Sequence, residues 1–346
     1  MNMNLLIELE QKSTFKRETS KLPWIEKYRP KSLNDIISHK EIIKTLKVCI
    51  ENKTLTHLLF YGPPGTGKTS TIMACVRELY GSKMPMMVME LNASDDRGIE
   101  CVREKIKGFV SSRTIYYEKT KMFKLVILDE MDNLTYDAQA GLRKMIEDYT
   151  ANARFCLICN YSKNIDPALL SRCTTYRFPP LSFDETRTRC IEILKTENIP
   201  YTKEGLDIII KRSGGDMRIV LNSLQVVSMG YKKINTLHIN NCLGYPKEEV
   251  LNKIFKICIK QNYMTAHKEV KLIKNKCGIS LSDLINELNE IIYHQMINRT
   301  LPYMKKFTID QMALMIINLC KIQYYLTDSD TEDMHMAALI GAISIY

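Results

Sequence analysis

The sequence predicts a parallel α/β sheet with helices on both faces, then a small helical region, then a larger all-helical region. Short apolar runs typical of buried strands alternate with amphipathic stretches between residues 35 and 180. Strand-like runs stop near residue 181, and Gly214 and Gly215 interrupt the short helices that follow. After Gly244–Pro246, apolar residues recur at helical spacing. The predicted division is a loose tail over 1–22, an α/β domain over 23–180, a small helical domain over 181–243 and a helical domain over 244–346.

The strands and helices are predicted from local apolar patterns. The predicted strands are His57–Tyr61, Met86–Leu91, Lys124–Leu128 and Arg154–Cys159, and the short helices are 184–198, 203–212 and 216–229. Further on, an apolar stripe follows Ser280 or Ser282, one of which is the predicted N-cap. The segment 308–325 is apolar nearly all round, which predicts a helix buried in a bundle. The stripe residues are Leu281, Leu284, Leu288, Ile291, Ile292 and Met296.

Composition limits the class of protein. The chain carries 49 Lys and Arg against 39 Asp and Glu, a net charge of +10, which favours a nucleic-acid partner but is equally consistent with simple solubility. Cys156 and Cys159 form a CxxC inside a strand-like run, with no second pair at zinc-site spacing, so both are predicted to be core residues. Neither a secretory leader nor an apolar run of membrane-spanning length is visible, which predicts a cytosolic or nuclear protein that does not enter a membrane.

The segment from Gly62 to Thr69 matches the phosphate-binding loop pattern G-x-x-x-x-G-K-[ST], after an apolar strand and before a helix. Its glycines let backbone N–H groups surround phosphates, and the helix N-terminus adds positive potential. Lys68 is predicted to bind the β- and γ-phosphates of ATP, and Thr69 to bind Mg²⁺. The predicted phosphate-binding residues are Gly62, Pro63, Pro64, Gly65, Thr66, Gly67, Lys68, Thr69 and Ser70.

Two carboxylates end the apolar strand over 126–128. Because ligands bind at the carboxyl ends of strands in open α/β sheets, both are expected at the nucleotide. Asp129 is predicted to hold Mg²⁺, and Glu130 to orient and polarise the water that attacks the γ-phosphate.

Further motifs, in order along the chain, resemble those of AAA+ clamp loaders, specifically the small subunits of replication factor C. They are Trp24–Pro30 (WIEKYRP), Leu91–Gly98 (LNASDDRG), Ser171–Cys173 (SRC) and Gly214–Arg218 (GGDMR). Within the family, Ser112–Ile115 and Asn160–Tyr161 resemble the small-subunit type numbered third in fungi and fifth in animals. The resemblance implies an AAA+ core, a helical lid and an all-α collar that packs with its counterparts in a nuclear hetero-pentamer.

The resemblance also implies roles for single residues. Asn160 would sense the γ-phosphate, and Arg218 would reach the phosphates from the lid. Arg172 would act in trans, as an arginine finger in the neighbouring subunit's ATP site. Tyr28 and Pro30, with Ile36 or Ile37, would flank the adenine.

Two helices carry residues with which clamp loaders of this family are understood to hold primer–template DNA by its backbone. Arg103 and Lys107 lie one turn apart beside the apolar stripe of 98–110, and Gln139 and Arg143 do so in 136–149. Arg103, Lys107 and Arg143 are the predicted phosphate contacts, with Arg97 and Lys144 as weaker candidates. Gln139 is expected to couple DNA contact to Glu130. The cluster Ile115–Tyr117 either docks the sliding clamp or packs locally.

Three functions are open at this point. The chain is an ATP-hydrolysing subunit of a clamp loader, a structural subunit that binds nucleotide without turnover and supplies Arg172, or another AAA+ DNA-processing ATPase such as a branch-migration motor. The complete set of predicted ATP-site residues favours the first, and the SRC motif with the helical C-terminal third disfavours the last.

Overall fold

The computed structural model describes residues 22–93, 99–111, 122–327 and 331–345, and only the backbone of residues 99–103. The chain divides into two compact units, with the boundary between Lys233 and Ile234. The finer division into core, lid and collar stays a prediction.

The first unit is built on a five-stranded parallel sheet with the strand order β2-β3-β4-β1-β5. The strands are β1 (Leu58–Tyr61), β2 (Val88–Asn92), β3 (Lys124–Asp129), β4 (Ala153–Cys159) and β5 (Thr174–Arg177). The parallel α/β prediction is therefore confirmed, but two details were wrong. Met86 lies in a helical turn rather than in β2, and β5 was missed because its partly exposed sequence lacks an apolar run.

Helices cover both faces of this sheet, as predicted. In order, the helices of the first unit are α1 (Trp24–Lys27), α2 (Lys40–Glu51), α3 (Lys68–Tyr80), α4 (Met84–Met87), α5 (Ile99–Ser111), α6 (Tyr136–Tyr149), α7 (Pro167–Leu170), α8 (Phe183–Thr196), α9 (Lys203–Arg212) and α10 (Met217–Gly230). Short 3₁₀ turns lie at Leu33–Asp35, Gly81–Lys83, Met131–Asn133 and Ser162–Asn164. Helices α2 and α3 pack on one face, and α5 and α6 pack on the other.

Alternation along β4 separates the two cysteines. Cys156 is buried in the cluster with α2 and α3, whereas Cys159 is buried in the cluster on the opposite face. Because successive side chains of a strand point to opposite faces, these thiols cannot share a ligand. The interpretation of both as core residues is confirmed.

The second unit is helical. It contains α11 (Thr236–Leu243), α12 (Glu248–Lys260), α13 (Tyr263–Cys277), α14 (Leu281–Asn298), α15 (Ile309–Leu326) and α16 (Glu332–Ser344), with a 3₁₀ turn at Pro302–Met304. Ser280 caps α14 by accepting a hydrogen bond from the Asp283 N–H at 3.0 Å, so the first of the two predicted caps is the one used. No helix among the described residues is long and apolar enough to cross a membrane.

Helix α15 corrects the expectation of a fully buried helix. Met312, Met315, Leu319 and Ile322 enter the core of the second unit. The other side of the helix is exposed, and it carries Ile309, Leu314, Ile317, Tyr324 and Tyr325. An apolar pattern all round predicts burial, but the chain by itself supplies cover for one face only.

Candidate nucleotide site

The loop between β1 and α3 is shaped by three glycines with positive φ. A Cβ on Gly62 would lie 2.0 Å from the Phe178 carbonyl oxygen, and one on Gly65 would lie 1.7 Å from Asp216 Oδ1. A Cβ on Gly67 would meet no described atom within 4 Å. The first two glycines therefore permit close packing, whereas Gly67 leaves open space in front of the N-terminus of α3.

Lys68, the first residue of α3, turns its buried side chain back into the loop. Its Nζ donates hydrogen bonds to the carbonyl oxygens of Gly62 (2.7 Å) and Pro63 (2.8 Å) and to Asn160 Oδ1 (3.1 Å). Burial lowers the pKa of Lys68, nearby Asp129 counteracts this, and the charge of Arg218 lowers the pKa further. The ammonium group is thus held by neutral oxygens at the centre of the site.

Acidic and hydroxyl groups meet at the end of β3. The Thr69 hydroxyl donates to Asp129 Oδ2 at 2.7 Å, and Asp129 Oδ1 accepts from the Glu130 N–H at 2.9 Å. Glu130 has φ +56°, a left-handed conformation uncommon for residues other than glycine. Asn133 Nδ2 donates to Glu130 Oε2 at 3.3 Å, so this carboxylate is hydrogen-bonded to the 3₁₀ turn that follows β3.

Asn160 follows β4, which lies between β3 and β1. Its amide N–H donates to Asp132 Oδ2 at 3.2 Å, while its side chain accepts from Lys68. The three neighbouring parallel strands thus bring the phosphate loop, the carboxylates and Asn160 to one edge of the sheet.

The helical segment after residue 181 closes the site from the other side. The Met217 N–H, in the first turn of α10, donates to the Gly65 carbonyl oxygen at 3.2 Å, and Asp216 caps the same helix. A cavity of about 450 Å³ lies between this helix and the loop. Of the predicted site residues, Tyr28, Pro30, Ile37, Gly65, Thr66, Gly67, Lys68, Thr69, Ser70 and Arg218 line it, as does Ile36.

The segment around α1 forms the remaining wall. Tyr28 donates its hydroxyl hydrogen bond to Glu197, and Lys27 Nζ lies 2.6 Å from the same carboxylate. Burial, then the Glu197 carboxylate, raises the pKa of Tyr28. Burial alone would raise the pKa of Glu197, but hydrogen bonds from Lys27 and Tyr28 outweigh it and lower the value. The wall is completed where the Arg189 guanidinium donates to the Tyr28 carbonyl oxygen at 3.3 Å.

A nucleoside triphosphate with magnesium fits these residues. The space at Gly67 and the cations Lys68 and Arg218 suit phosphates, and the aromatic and apolar wall suits a base. No group of three His, Cys, Asp or Glu side chains in the described part of the chain could hold a metal ion. Thr69 and Asp129 supply two oxygen ligands. This number agrees with Mg²⁺ sites in which phosphates and water provide most of the ligands.

Comparison with known families and proteins agrees with this geometry. Residues 58–181 match the model of the ATPase family associated with various cellular activities (AAA), and residues 246–342 match the replication factor C C-terminal domain. Replication factor C subunit 5 of Mus musculus is 42% identical over 325 residues, covering 94% of this chain and 92% of the mouse protein. Replication factor C subunit 3 of Schizosaccharomyces pombe is 41% identical, covering 94% and 91%.

The chain belongs to the replication factor C small-subunit family. It is a small subunit of the clamp loader, and its type is the one numbered fifth in animals and third in fungi, as its motifs predicted. A solved structure of the Thermotoga maritima RuvB Holliday junction branch migration motor also matches, with a TM-score of 0.50 and 19% identity over 70% of this chain and 85% of that one. At that identity the likeness shows the shared fold alone. The branch-migration interpretation is wrong because the relatives and the C-terminal domain place the chain in the replication factor C family.

Of the residues expected to act outside the chain's own site, those that the structure describes do not line the cavity. Arg172 is exposed beyond α7, where it donates to the Ala168 carbonyl oxygen at 2.7 Å and pairs with Glu147 at 2.5 Å. Lys107 and Lys144 are exposed, on α5 and α6. Arg143 pairs with Asp166 at 3.8 Å. Arg97, the side chain of Arg103 and the cluster Ile115–Tyr117 lie outside the described residues.

Gln139 is hydrogen-bonded to the segment that follows β4. Its buried side chain donates to the carbonyl oxygens of Asn164 (3.0 Å) and Leu134 (3.3 Å) and accepts from the Asp166 N–H at 2.8 Å. It therefore holds the segment after β4 and forms no hydrogen bond with Glu130. The expected coupling of DNA contact to Glu130 through Gln139 stays a prediction.

Sequence reasoning missed several residues of the site. All of them come from the segment after residue 181. They are Asp216, which lies against Gly65, Arg189, which donates to the Tyr28 carbonyl oxygen, and Glu197, which binds Lys27 and Tyr28. The Asp216 position was visible inside the GGDMR motif. Arg189 and Glu197 stand on α8 and just after it without a motif, and their relation to the site depends on tertiary packing.

Proposed function

We propose that this subunit binds ATP with Mg²⁺ and hydrolyses it within the assembled clamp loader, which opens a sliding clamp and loads it on primer–template DNA. The observation that carries the proposal is the convergence of Lys68, Thr69, Asp129 and Asn160 at one edge of the sheet, with Arg218 facing them from α10. Magnesium, when bound, would neutralise phosphate charge and align the β- and γ-phosphates.

In this proposal each residue has a stated task. Lys68 and Arg218 stabilise negative charge on the phosphates, and Asn160 positions the γ-phosphate or the attacking water. Glu130 orients that water and accepts its proton. Tyr28, Pro30 and Ile37 hold the base. The predicted roles of Gly62, Pro63, Pro64, Thr66 and Ser70 in shaping the loop belong to the same proposal.

Contact between α10 and the loop supports a link between nucleotide state and lid position. Met217 is hydrogen-bonded to Gly65, and the Asp216 carboxylate fills the space beside the Gly65 Cα. A change in the loop backbone on nucleotide binding would therefore be transmitted directly to α10. Arg218 follows Asp216 by two residues, so its guanidinium would move with the same helix.

Arg172 is proposed to complete the ATP site of a neighbouring subunit. It is exposed and lies away from this chain's own cavity, as a residue acting in trans requires. Partners of the collar are proposed to cover the exposed face of α15, whose apolar residues the chain leaves open. This loader is proposed to act in the nucleus.

The DNA-facing residues are proposed to be Arg103, Lys107 and Arg143, as backbone contacts that read no sequence. The net charge of +10 supports this. We expect Lys107→Ala in the assembled loader to weaken DNA binding and to reduce the salt slope of log K by about one.

The central test replaces Glu130 by Gln in the full complex. If Glu130 activates water, turnover at this subunit's own site falls by about 10²-fold or more while ATP binding at that site is kept. Asp137→Asn, an exposed acid in the first turn of α6, is the matched control and should leave the rate unchanged. An unchanged rate with Glu130→Gln, together with normal clamp loading, would instead favour a structural subunit that binds nucleotide without turnover.

A further inference from the structure

One face of α6 holds the segment that leads to Arg172. Gln139, Arg143 and Glu147 lie at intervals of four residues, so they form one row along the helix. Gln139 binds the backbone of Asn164 and Asp166, at the start of the segment. Arg143 faces the side chain of Asp166, and Glu147 reaches further along the same segment, to Arg172.

Arg143 contacts the segment through the Asp166 side chain. Its guanidinium lies 3.8 Å from Asp166 Oδ2, an oxygen that is buried and has no hydrogen-bond partner among the described residues. The other carboxylate oxygen, Oδ1, caps α7 by accepting from the Ala168 N–H at 2.9 Å. A buried carboxylate oxygen needs a compensating charge, and Arg143 is the cation that faces it.

Glu147 meets the segment at its end. Its Oε1 lies 2.5 Å from Arg172 Nη2, so the two side chains form a close ion pair. Arg172 also donates to the Ala168 carbonyl oxygen, one turn back, so its guanidinium is held from two sides. A long arginine side chain loses much rotational freedom in such an arrangement.

We propose that α6 sets the position of Arg172, with Glu147 as the positioning residue that holds the guanidinium for the neighbouring subunit's ATP site. This inference rests on the proposed action of Arg172 in trans. It follows that the helix proposed to contact DNA through Arg143 is also the helix that orients Arg172. DNA contact would thus be linked physically to the neighbour's active site.

The first measurement is the ATPase rate of the assembled complex with Glu147→Gln, which keeps the shape of the side chain and removes its charge. We expect turnover at the neighbouring subunit's site to fall about two- to fivefold with its KM unchanged, the range expected when an exposed ion pair is lost. The matched control is Asp148→Asn, because Asp148 is the next acid on the helix, is exposed and forms no ion pair with a described residue. It should retain the wild-type rate.

Two backgrounds separate the possible outcomes. The Glu147→Gln effect should persist when Lys68→Ala disables this chain's own site, and it should vanish in an Arg172→Ala background, since Glu147 acts through Arg172. An equal loss in the Arg172→Ala background would overturn the inference while leaving the proposed function intact. No loss from Arg172→Ala alone would overturn the trans role itself, and the inference with it.

A measurement without turnover completes the test. Hydrogen exchange of the free chain should show faster exchange at the amides of Ser171, Arg172 and Cys173 in Glu147→Gln than in wild type or Asp148→Asn. These amides donate to carbonyl oxygens of Pro167, Leu169 and Leu170, so they report the order of the segment. Unchanged exchange together with an unchanged rate would refute the positioning role.

Discussion

Replacing Asp166 by Asn should make the assembled loader bind primer–template DNA more tightly. The Asp166 side chain is 5% exposed, and its Oδ2 faces Arg143 at 3.8 Å. If Arg143 contacts a DNA phosphate, that phosphate and Asp166 compete for one guanidinium. Asparagine caps helices as well as aspartate does, so the hydrogen bond from the Ala168 N–H is kept while the charge is lost.

The size of the effect follows from the separation of the two charges. At 3.8 Å, the Coulomb energy is about 1 kcal/mol in water and about 4 kcal/mol at an effective dielectric constant near 20. The Arg143 side chain is 42% exposed, so solvent screening favours the smaller figure. A release of about 0.5–1 kcal/mol corresponds to about two- to fivefold tighter binding.

The assay is the fluorescence anisotropy of labelled primer–template DNA titrated with the complex at several salt concentrations. Arg143→Ala should weaken binding and lower the salt slope by about one. In the Asp166→Asn, Arg143→Ala double variant, the gain from Asp166→Asn should disappear, because the shared guanidinium is gone. Unchanged or weaker DNA binding by Asp166→Asn, with normal ATP binding, would refute the competition.

Three further predictions concern single residues. Burial lowers the pKa of His57 from 6.5 to about 4, so its contribution to stability is present above pH 6.5 and is lost as the pH falls towards 4. The unfolding free energies measured in urea at pH 7 and at pH 5 should differ by about 2 kcal/mol less in His57→Asn than in wild type. Tyr28→Phe, which removes the hydroxyl that binds Glu197, should weaken ATP binding about two- to fivefold by calorimetry, whereas Tyr136→Phe, at an exposed ring, should not. Leu288→Ala, at a fully buried position of α14, should cost about 3 kcal/mol of unfolding free energy in urea, and a loss below about 1 kcal/mol would contradict the packing described.

Local patterns predicted most elements because the physics that forms them is local. The alternation of strands and helices, the Ser280 cap and the stripe of α14 depend on residues close together in the sequence. Strand β5 escaped because an edge strand with exposed side chains carries no apolar run. Helix α15 was predicted to be fully buried because its apolar pattern indicates surfaces that need to be covered. The pattern does not identify the partner that covers them.

The residues of the candidate site also divide into those that local patterns predicted and those that they did not. Lys68, Thr69 and Asp129 could be assigned to a phosphate site from the sequence, since a loop between strand and helix and a strand ending in carboxylates are features of contiguous segments. Glu197 could not, because its contact with Tyr28 joins positions 169 residues apart.

By itself, the sequence determined the parallel α/β core, the phosphate loop and membership of the clamp-loader family, because each depends on short segments in a characteristic order. Only the tertiary structure decided which side chains share a partner: that Asp216 occupies the space beside Gly65, that Gln139 holds the segment after β4, and that Arg172 lies against Glu147. These contacts depend on the angles and distances at which whole helices pack, and no local pattern in the chain encodes them.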